Sequence, residues 1–175
     1  MIRVPREHWT QDASEGGGRI IGEVCHFIDL MQFLTGAAPT SVFAAAVAAD
    51  SGNVISEDSV MITLQFADGS NGMIAYLAEG DGRLPKEHIE IFGEGKTFVI
   101  EDFRSARLYA DGREKRETSR QQDKGQAEET RVACAVVAEG KDAPITIQEL
   151  EATTRATFRI LDSLRTGLPV RLTLV

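Results

Sequence analysis

The sequence predicts an α+β fold, a large and mostly antiparallel open sheet with helices packed on one face. Three observations carry this. Apolar residues recur at helical spacing near the N-terminus and again over the last third, and they alternate in between. The alternating segments are joined by short turns, which demands antiparallel pairing, because a parallel connection needs a dozen or more residues. The chain has 175 residues, 42% of them hydrophobic, enough for a core that buries roughly 70% of the unfolded surface. We therefore expect residues 1–175 to form one domain, with no internal repeat and no dividing linker.

The first helix is expected from about Glu15–Gly18 to Thr35, with Gly36 as its C-cap and Ile20, Val24, Phe27, Ile28, Met31 and Leu34 facing a core. The period then changes to two. Thr40–Asp50, Ser59–Ala67 and Asn71–Glu79 read as strands, the last two joined through "ADGS". "EHIEIFG" and "KTFVIEDF" form a hairpin across "GEGK", and "ARLYADG" with "REKRETS" a weaker, more exposed one. Helix returns in "KGQAEETRVACAVVAEG", with Ala127, Val132, Cys134, Ala135 and Val136 on one side. In "TIQELEATTRATFRILDSLRTG" the stripe is Ile147, Leu150, Thr154, Phe158, Leu161 and Leu164, with Thr146 as N-cap and Gly167 as stop. "LPVRLTLV" closes the chain as a short strand whose Pro169 places it at an edge or strand start.

Charge and cysteine usage narrow the function. A net charge of -8 argues against non-specific nucleic-acid binding and against an anionic membrane surface. No apolar run reaches the 18 or so residues of a membrane span, and the N-terminus lacks the apolar core of a signal peptide. Cys25 and Cys134 have no C-x-x-C partner, so both are expected as reduced thiols in a cytoplasmic protein.

The stretch "SEGGGRIIGEVCHFIDL" poses a physical question. Glycine inside a helix costs about 0.5–1 kcal/mol relative to alanine, yet three glycines open this helix and a fourth follows at Gly22. Spacings of three and four put Arg19, Gly22, Glu23, His26 and Asp29 on one side. A carboxylate one turn from a histidine can hold its ring and raise its pKa, which suits a proton donor or acceptor. A solvated face with locally paired charges accounts for the same residues, but it has no need of the glycines. Close approach of a ligand does.

"GGGRIIGEVCHFIDL" resembles the motif that opens the C-terminal domain of the glucose-fructose oxidoreductase / inositol dehydrogenase (Gfo/Idh/MocA) family. The glycine triplet, aliphatic pair, histidine and aspartate three residues later match Gly16–Gly18, Ile20 and Ile21, His26 and Asp29. "IEIFGEGKTFVIEDF" and "ATFRILDSLRTGLPVRL" are similar to the family's later hairpin and closing helix and strand. The resemblance implies a dihydrodipicolinate-reductase-like domain that forms the substrate-binding and oligomerisation part of a longer NAD(P)-dependent oxidoreductase. It implies NAD or NADP held mainly by a Rossmann domain, in cis or in trans, a carbohydrate-like substrate, and a homo-oligomer formed through the sheet face. It gives His26 the acid/base role, with Glu23 as its orienting carboxylate, and assigns Gly17, Gly18, Arg19 and Gly22 to the substrate side.

Two departures qualify the resemblance. Many members carry an aspartate four residues before the histidine, where this chain has Gly22; Glu23 is displaced from that position by about 100° around a helix. No G-x-G-x-x-G follows a strand and opens a helix, so no dinucleotide fingerprint is present. "GEGKT" ends like a Walker A loop, but Glu90 stands where its first glycine belongs, and a hairpin turn explains it. Trp9, ahead of the glycines, is either a wall of the substrate pocket or plain packing. Lys124, beside Gly125, matches a lysine-glycine pair of the family and is a candidate substrate contact. His8, Asp12 and His26 are too irregularly spaced for a metal, and none is expected.

Two classes of function follow. The first is the substrate half of a dehydrogenase acting on a hydroxyl of a sugar, sugar nucleotide or cyclitol. The second is a stand-alone, non-catalytic carbohydrate-binding or dimerisation module. NAD(P)-dependent turnover separates them, and none is expected from this chain alone.

Overall fold

The computed structural model describes residues 5, 7–12, 14–47 and 59–172. Residues 48–50 of the expected strand 40–50, and 173–175 at the end of the last strand, lie outside them. The chain forms two compact units, Met1–Gly80 with Ile145–Val175, and Asp81–Pro144.

In the first unit a 3₁₀ turn, Trp9–Gln11, precedes a π-helical turn, Ile20–Val24, that runs directly into α1, Cys25–Thr35. Gly36 ends α1 in the left-handed conformation, its N–H bonding to the Gln32 carbonyl, as expected of a glycine past the last turn. The sheet contains β1 (Pro39–Ala46), β2 (Ser59–Phe66), β3 (Asn71–Leu77) and β8 (Val170–Arg171), in the antiparallel order β3-β2-β1-β8. Alternation sorts its residues. Val42, Ala44, Ile62, Leu64, Ile74 and Tyr76 are buried, while Phe43, Met61, Met73 and Leu77 stay exposed. α1 and α3 (Ile147–Thr166) pack together, and α3 lies along β1.

The face that α3 turns inward differs from the expected one. Leu161 and Leu164 do reach the core, but Ile147, Leu150 and Phe158 are exposed, and Ala152, Thr153, Ala156, Thr157, Ile160 and Ser163 are buried instead. Small side chains let the helix axis approach the sheet closely, and two of the three polar ones among them find partners, while the Thr153 hydroxyl has none among the described residues. Thr157 Oγ1 donates to the Thr154 carbonyl. Ser163 Oγ donates to the Leu168 carbonyl and accepts the Ala44 N–H. On α1 a similar exchange occurs: Leu34 is exposed, whereas Gln32 is buried and its Nε2 donates to the Glu149 carbonyl at 3.1 Å. Thr146 and Glu149 form a reciprocal capping box at the start of α3.

The second unit is a meander of β4 (His88–Gly93), β5 (Lys96–Glu101), β6 (Ser105–Ala110) and β7 (Arg113–Thr118), followed by α2 (Gln126–Glu139). The register places Ile89, Ile91, Phe98, Ile100 and Leu108 on one face. β7 is exposed along its whole length, and its charges suit a free edge that must not pair with another strand. Val132, Ala135 and Val136 of α2 are half-buried, and Cys134 is exposed. The α+β class and the antiparallel pairing hold; among the described residues the strands form two four-stranded sheets rather than one large one.

Candidate functional site

The glycine-rich stretch is built on a turn held by Asp12. Its Oδ1 accepts the N–H groups of Ser14 (2.7 Å) and Glu15 (3.3 Å), and its carbonyl accepts those of Gly16 (2.8 Å) and Gly17 (3.0 Å). Hydrogen bonds from the Ser14 side chain and backbone hold the Asp12 carboxyl below its ordinary range. The first three glycines then have reasons within the chain itself. A Cβ on Gly16 would lie 2.6 Å from the Trp9 carbonyl oxygen and the Thr10 Cα. Gly17 and Gly18 have φ of +68° and +81°, the region where any side chain is strained.

Gly22 is different. Its φ is not positive, and a Cβ there would meet nothing within 4 Å. It lies inside the π-helical turn, an arrangement that is rare and occurs often at functional sites. Gly22, Glu23 and His26 are all exposed, and Asp29 is half-buried. Arg19 is not among them. It is 6% exposed, and its guanidinium lies 5.2 Å from the ring centroid of the buried Tyr76 of β3, within cation–π range. The expectation that Arg19 shares the face of His26 is therefore corrected. The bend at Gly17 and Gly18 turns the first helical residue inward, and its long side chain packs over the sheet. Tyr76 under Arg19 had no signal in the sequence beyond strand alternation.

Cys25, next to His26, is half-buried, and burial pushes its thiol pKa up, which disfavours a thiolate nucleophile. Trp9 is 60% exposed, its ring 5.9 Å from that of His8. Lys124 belongs to the other unit, where its Nζ pairs with Glu87 at 2.5 Å and lies 5.8 Å from the Phe103 ring centroid. Gln122 Nε2 donates to both the carbonyl and a carboxylate oxygen of Asp102, at 3.0 Å each. These contacts hold together the turn at Asp102 and Phe103, where both residues have positive φ. Trp9, Gly16–Gly18, Gly22, Glu23 and His26 thus belong to one continuous segment of the first unit. An open depression at the hairpin ends of the second unit, lined by Thr97, Tyr109, Asp111 and Arg113 among others, contains none of the predicted site residues. Among the described residues no group of three or more His, Cys, Asp or Glu could hold a metal ion. No helix among them is long and apolar enough to cross a membrane.

A family model described as the GFO/IDH/MocA C-terminal domain matches residues 2–99, more than half of the chain. The chain belongs to this family. Solved structures extend the likeness of this GFO/IDH/MocA domain beyond residue 99. Levoglucosan dehydrogenase in complex with NADH and levoglucosan matches with a TM-score of 0.79 at 17% identity, over 99% of this chain and 55% of that one. Aldose-aldose oxidoreductase from Caulobacter crescentus, complexed with glycerol, matches with 0.77 at 18% identity, over 98% of this chain and 52% of that one. UDP-N-acetylglucosamine 3-dehydrogenase from Acidithiobacillus ferrooxidans matches with 0.64 at 16% identity, over 82% and 46%. At such identities the likeness establishes the fold. The GFO/IDH/MocA domain spans about half the length of these solved relatives. No curated protein matches its sequence.

Proposed function

We propose that this chain is the substrate-binding and oligomerisation domain of an NAD(P)-dependent dehydrogenase acting on a hydroxyl of a sugar, sugar nucleotide or cyclitol. Gly22 carries the reading. It is a helix-interior glycine that neither backbone conformation nor packing within the chain requires, beside an exposed carboxylate and an exposed imidazole. An absent side chain on that face favours a ligand that comes close to the backbone. The likeness to NADH-bound levoglucosan dehydrogenase and to a UDP-N-acetylglucosamine dehydrogenase supports both the cofactor class and the substrate class.

NAD or NADP supplies the hydride acceptor when bound, through a dinucleotide-binding domain in cis or in trans. The residues of this chain fit the substrate side of that reaction, with an exposed imidazole and carboxylate beside the open backbone at Gly22. His26 takes the hydroxyl proton as the carbinol carbon is oxidised, and returns it in the reverse direction. Glu23, one turn earlier, orients the imidazole. Gly17, Gly18 and Gly22 leave backbone open to the substrate, and Trp9 walls it. Lys124, engaged with Glu87 in the other unit, is not part of this reading. Arg19 acts from beneath, by fixing the turn over Tyr76. The exposed apolar face of the first sheet, with Phe43, Met61, Met73 and Leu77, receives a second copy of the protein; sedimentation as a monomer would remove that part of the proposal. A cytoplasmic location, with Cys25 and Cys134 reduced, completes the reading.

The test is turnover by the polypeptide that joins this domain to a dinucleotide-binding domain, with NAD or NADP and a panel of aldoses, sugar nucleotides and cyclitols. His26→Ala is expected to lower kcat by about 10²–10⁴-fold, the usual contribution of a general acid/base, while the fold persists. Wild-type turnover in that variant would refute the role of His26. No NAD(P)-dependent turnover on any of the panel would leave a binding or dimerisation module.

A further inference from the structure

Trp9 is the single tryptophan of the protein, and the structure leaves more than half of its surface in water. An indole is among the costliest side chains to leave exposed, and the backbone beneath it is braced rather than loose. The Asp12 N–H donates to the Trp9 carbonyl at 3.1 Å. His8 Nδ1 accepts the Thr10 N–H at 3.4 Å and pairs with Thr10 Oγ1 at 2.9 Å. Gly16 approaches so closely that any Cβ there would collide with the Trp9 carbonyl oxygen. The glycine that fixes the Trp9 turn thus belongs to the run that leads into Gly22, Glu23 and His26. The His8 ring stands beside the indole at an interplanar angle of 33°, so the pair presents two inclined aromatic surfaces.

A flat, apolar surface on a braced turn suits a ligand with a flat apolar face of its own, since an indole has few side-chain torsions to lose on contact. Pyranoses and cyclitols have one: ring C–H bonds gather on a face while the hydroxyls project from the rim. An acyclic polyol has the same hydroxyls and no such face. We propose that Trp9 is a stacking platform for the C–H face of the substrate ring and selects cyclic over acyclic polyols. This rests on the reading that a sugar or cyclitol hydroxyl reaches His26, and it adds a specificity-determining residue to that site.

Because no other tryptophan contributes, the emission of this protein reports Trp9 directly. The protein is titrated with glucose, myo-inositol and the acyclic polyol sorbitol, and in parallel the ring resonances of His26 are followed by NMR. The expected result is a saturable change in emission with glucose or myo-inositol and none with sorbitol, with a His26 response of the same midpoint. Trp9→Ala is expected to raise the midpoint seen at His26 tenfold or more, and Trp9→Phe to restore most of it. If His26 responds with the same midpoint in wild type and Trp9→Ala, and the emission stays constant, the platform is refuted while the sugar site stands. If emission responds equally to sorbitol, ring selection is refuted. If neither probe responds to any of the three, the platform is refuted, and the turnover assay decides the dehydrogenase reading separately.

Discussion

Replacing Ser163 by alanine tests whether the close seat of α3 on the sheet rests on one buried hydroxyl. Ser163 is fully buried. Its Oγ accepts the Ala44 N–H at 2.9 Å and donates to the Leu168 carbonyl at 2.7 Å. The first of these bonds takes over where β8 stops, since β8 pairs only with Ser41 and Val42 of β1. In Ser163→Ala the Ala44 N–H loses its partner in a place closed to water, at a cost of about 1–3 kcal/mol. The Leu168 carbonyl loses less, because its residue is exposed and water replaces the bond. Alanine returns about 0.5 kcal/mol of helix propensity. The net loss is about 2 kcal/mol, or roughly 1 M in the urea midpoint at a slope near 2 kcal/mol/M. Urea unfolding followed by Trp9 fluorescence reads it, since Trp9 and Ser163 belong to the same unit. Ser70→Ala, which removes an exposed bond to Asp68, serves as the control and should leave the midpoint in place. A Ser163→Ala midpoint within about 0.25 M of wild type, or a shift equal to that of the control, would refute the reasoning.

The glycines and the α3 cap lend themselves to similar tests. Gly22→Ala meets open space and is expected to stabilise the protein by about 0.5–1 kcal/mol, yet to lower kcat/KM of the joined polypeptide more than tenfold. Gly16→Ala, forced against backbone at 2.6 Å, is expected to destabilise by about 1–3 kcal/mol; urea midpoints and turnover measured together separate the two. Hydrogen bonds from the Thr146 side chain and backbone hold the Glu149 carboxyl below its ordinary pKa. At acid pH the unfolded state therefore binds more protons, and this contribution, complete above the ordinary glutamate value, is lost as pH falls through the lowered one. Thr146→Ala should lower the melting temperature at neutral pH and narrow its difference from wild type in acid, as read by thermal unfolding at several pH values.

The elements were largely legible from local signals. Alternation located β2 and β3, the turn residues located the hairpins, and Gly36 and Gly167 marked helix ends that the structure places in left-handed caps. The stripe on α3 was misread because apolar spacing alone cannot choose between two faces when one is lined by small residues. Alanine, serine and threonine are weak hydrophobic signals, yet they allow the closest approach to a sheet. The burial of Gln32 escaped for a related reason, since its partner is a carbonyl 117 residues away. At the candidate site, the segment and the residues Gly22, Glu23 and His26 were legible, but the reasons for the glycines were not. Close packing and left-handed backbone account for Gly16, Gly17 and Gly18 and leave Gly22 as the one that neither explains.

By itself the sequence determined the α+β class, the order of helices and strands, and the membership in an oxidoreductase family that its glycine-histidine motif announces. The first two are written in residues close together along the polypeptide, through periodicity and turn chemistry, and the third rests on the resemblance of that motif to the family's. Only the tertiary structure decided which side of α3 is buried, that Arg19 lies over Tyr76 instead of beside His26, and that Lys124 is engaged with Glu87 in the second unit. Those outcomes depend on which distant surfaces fit one another, and a local pattern does not contain the shape of the surface it will meet.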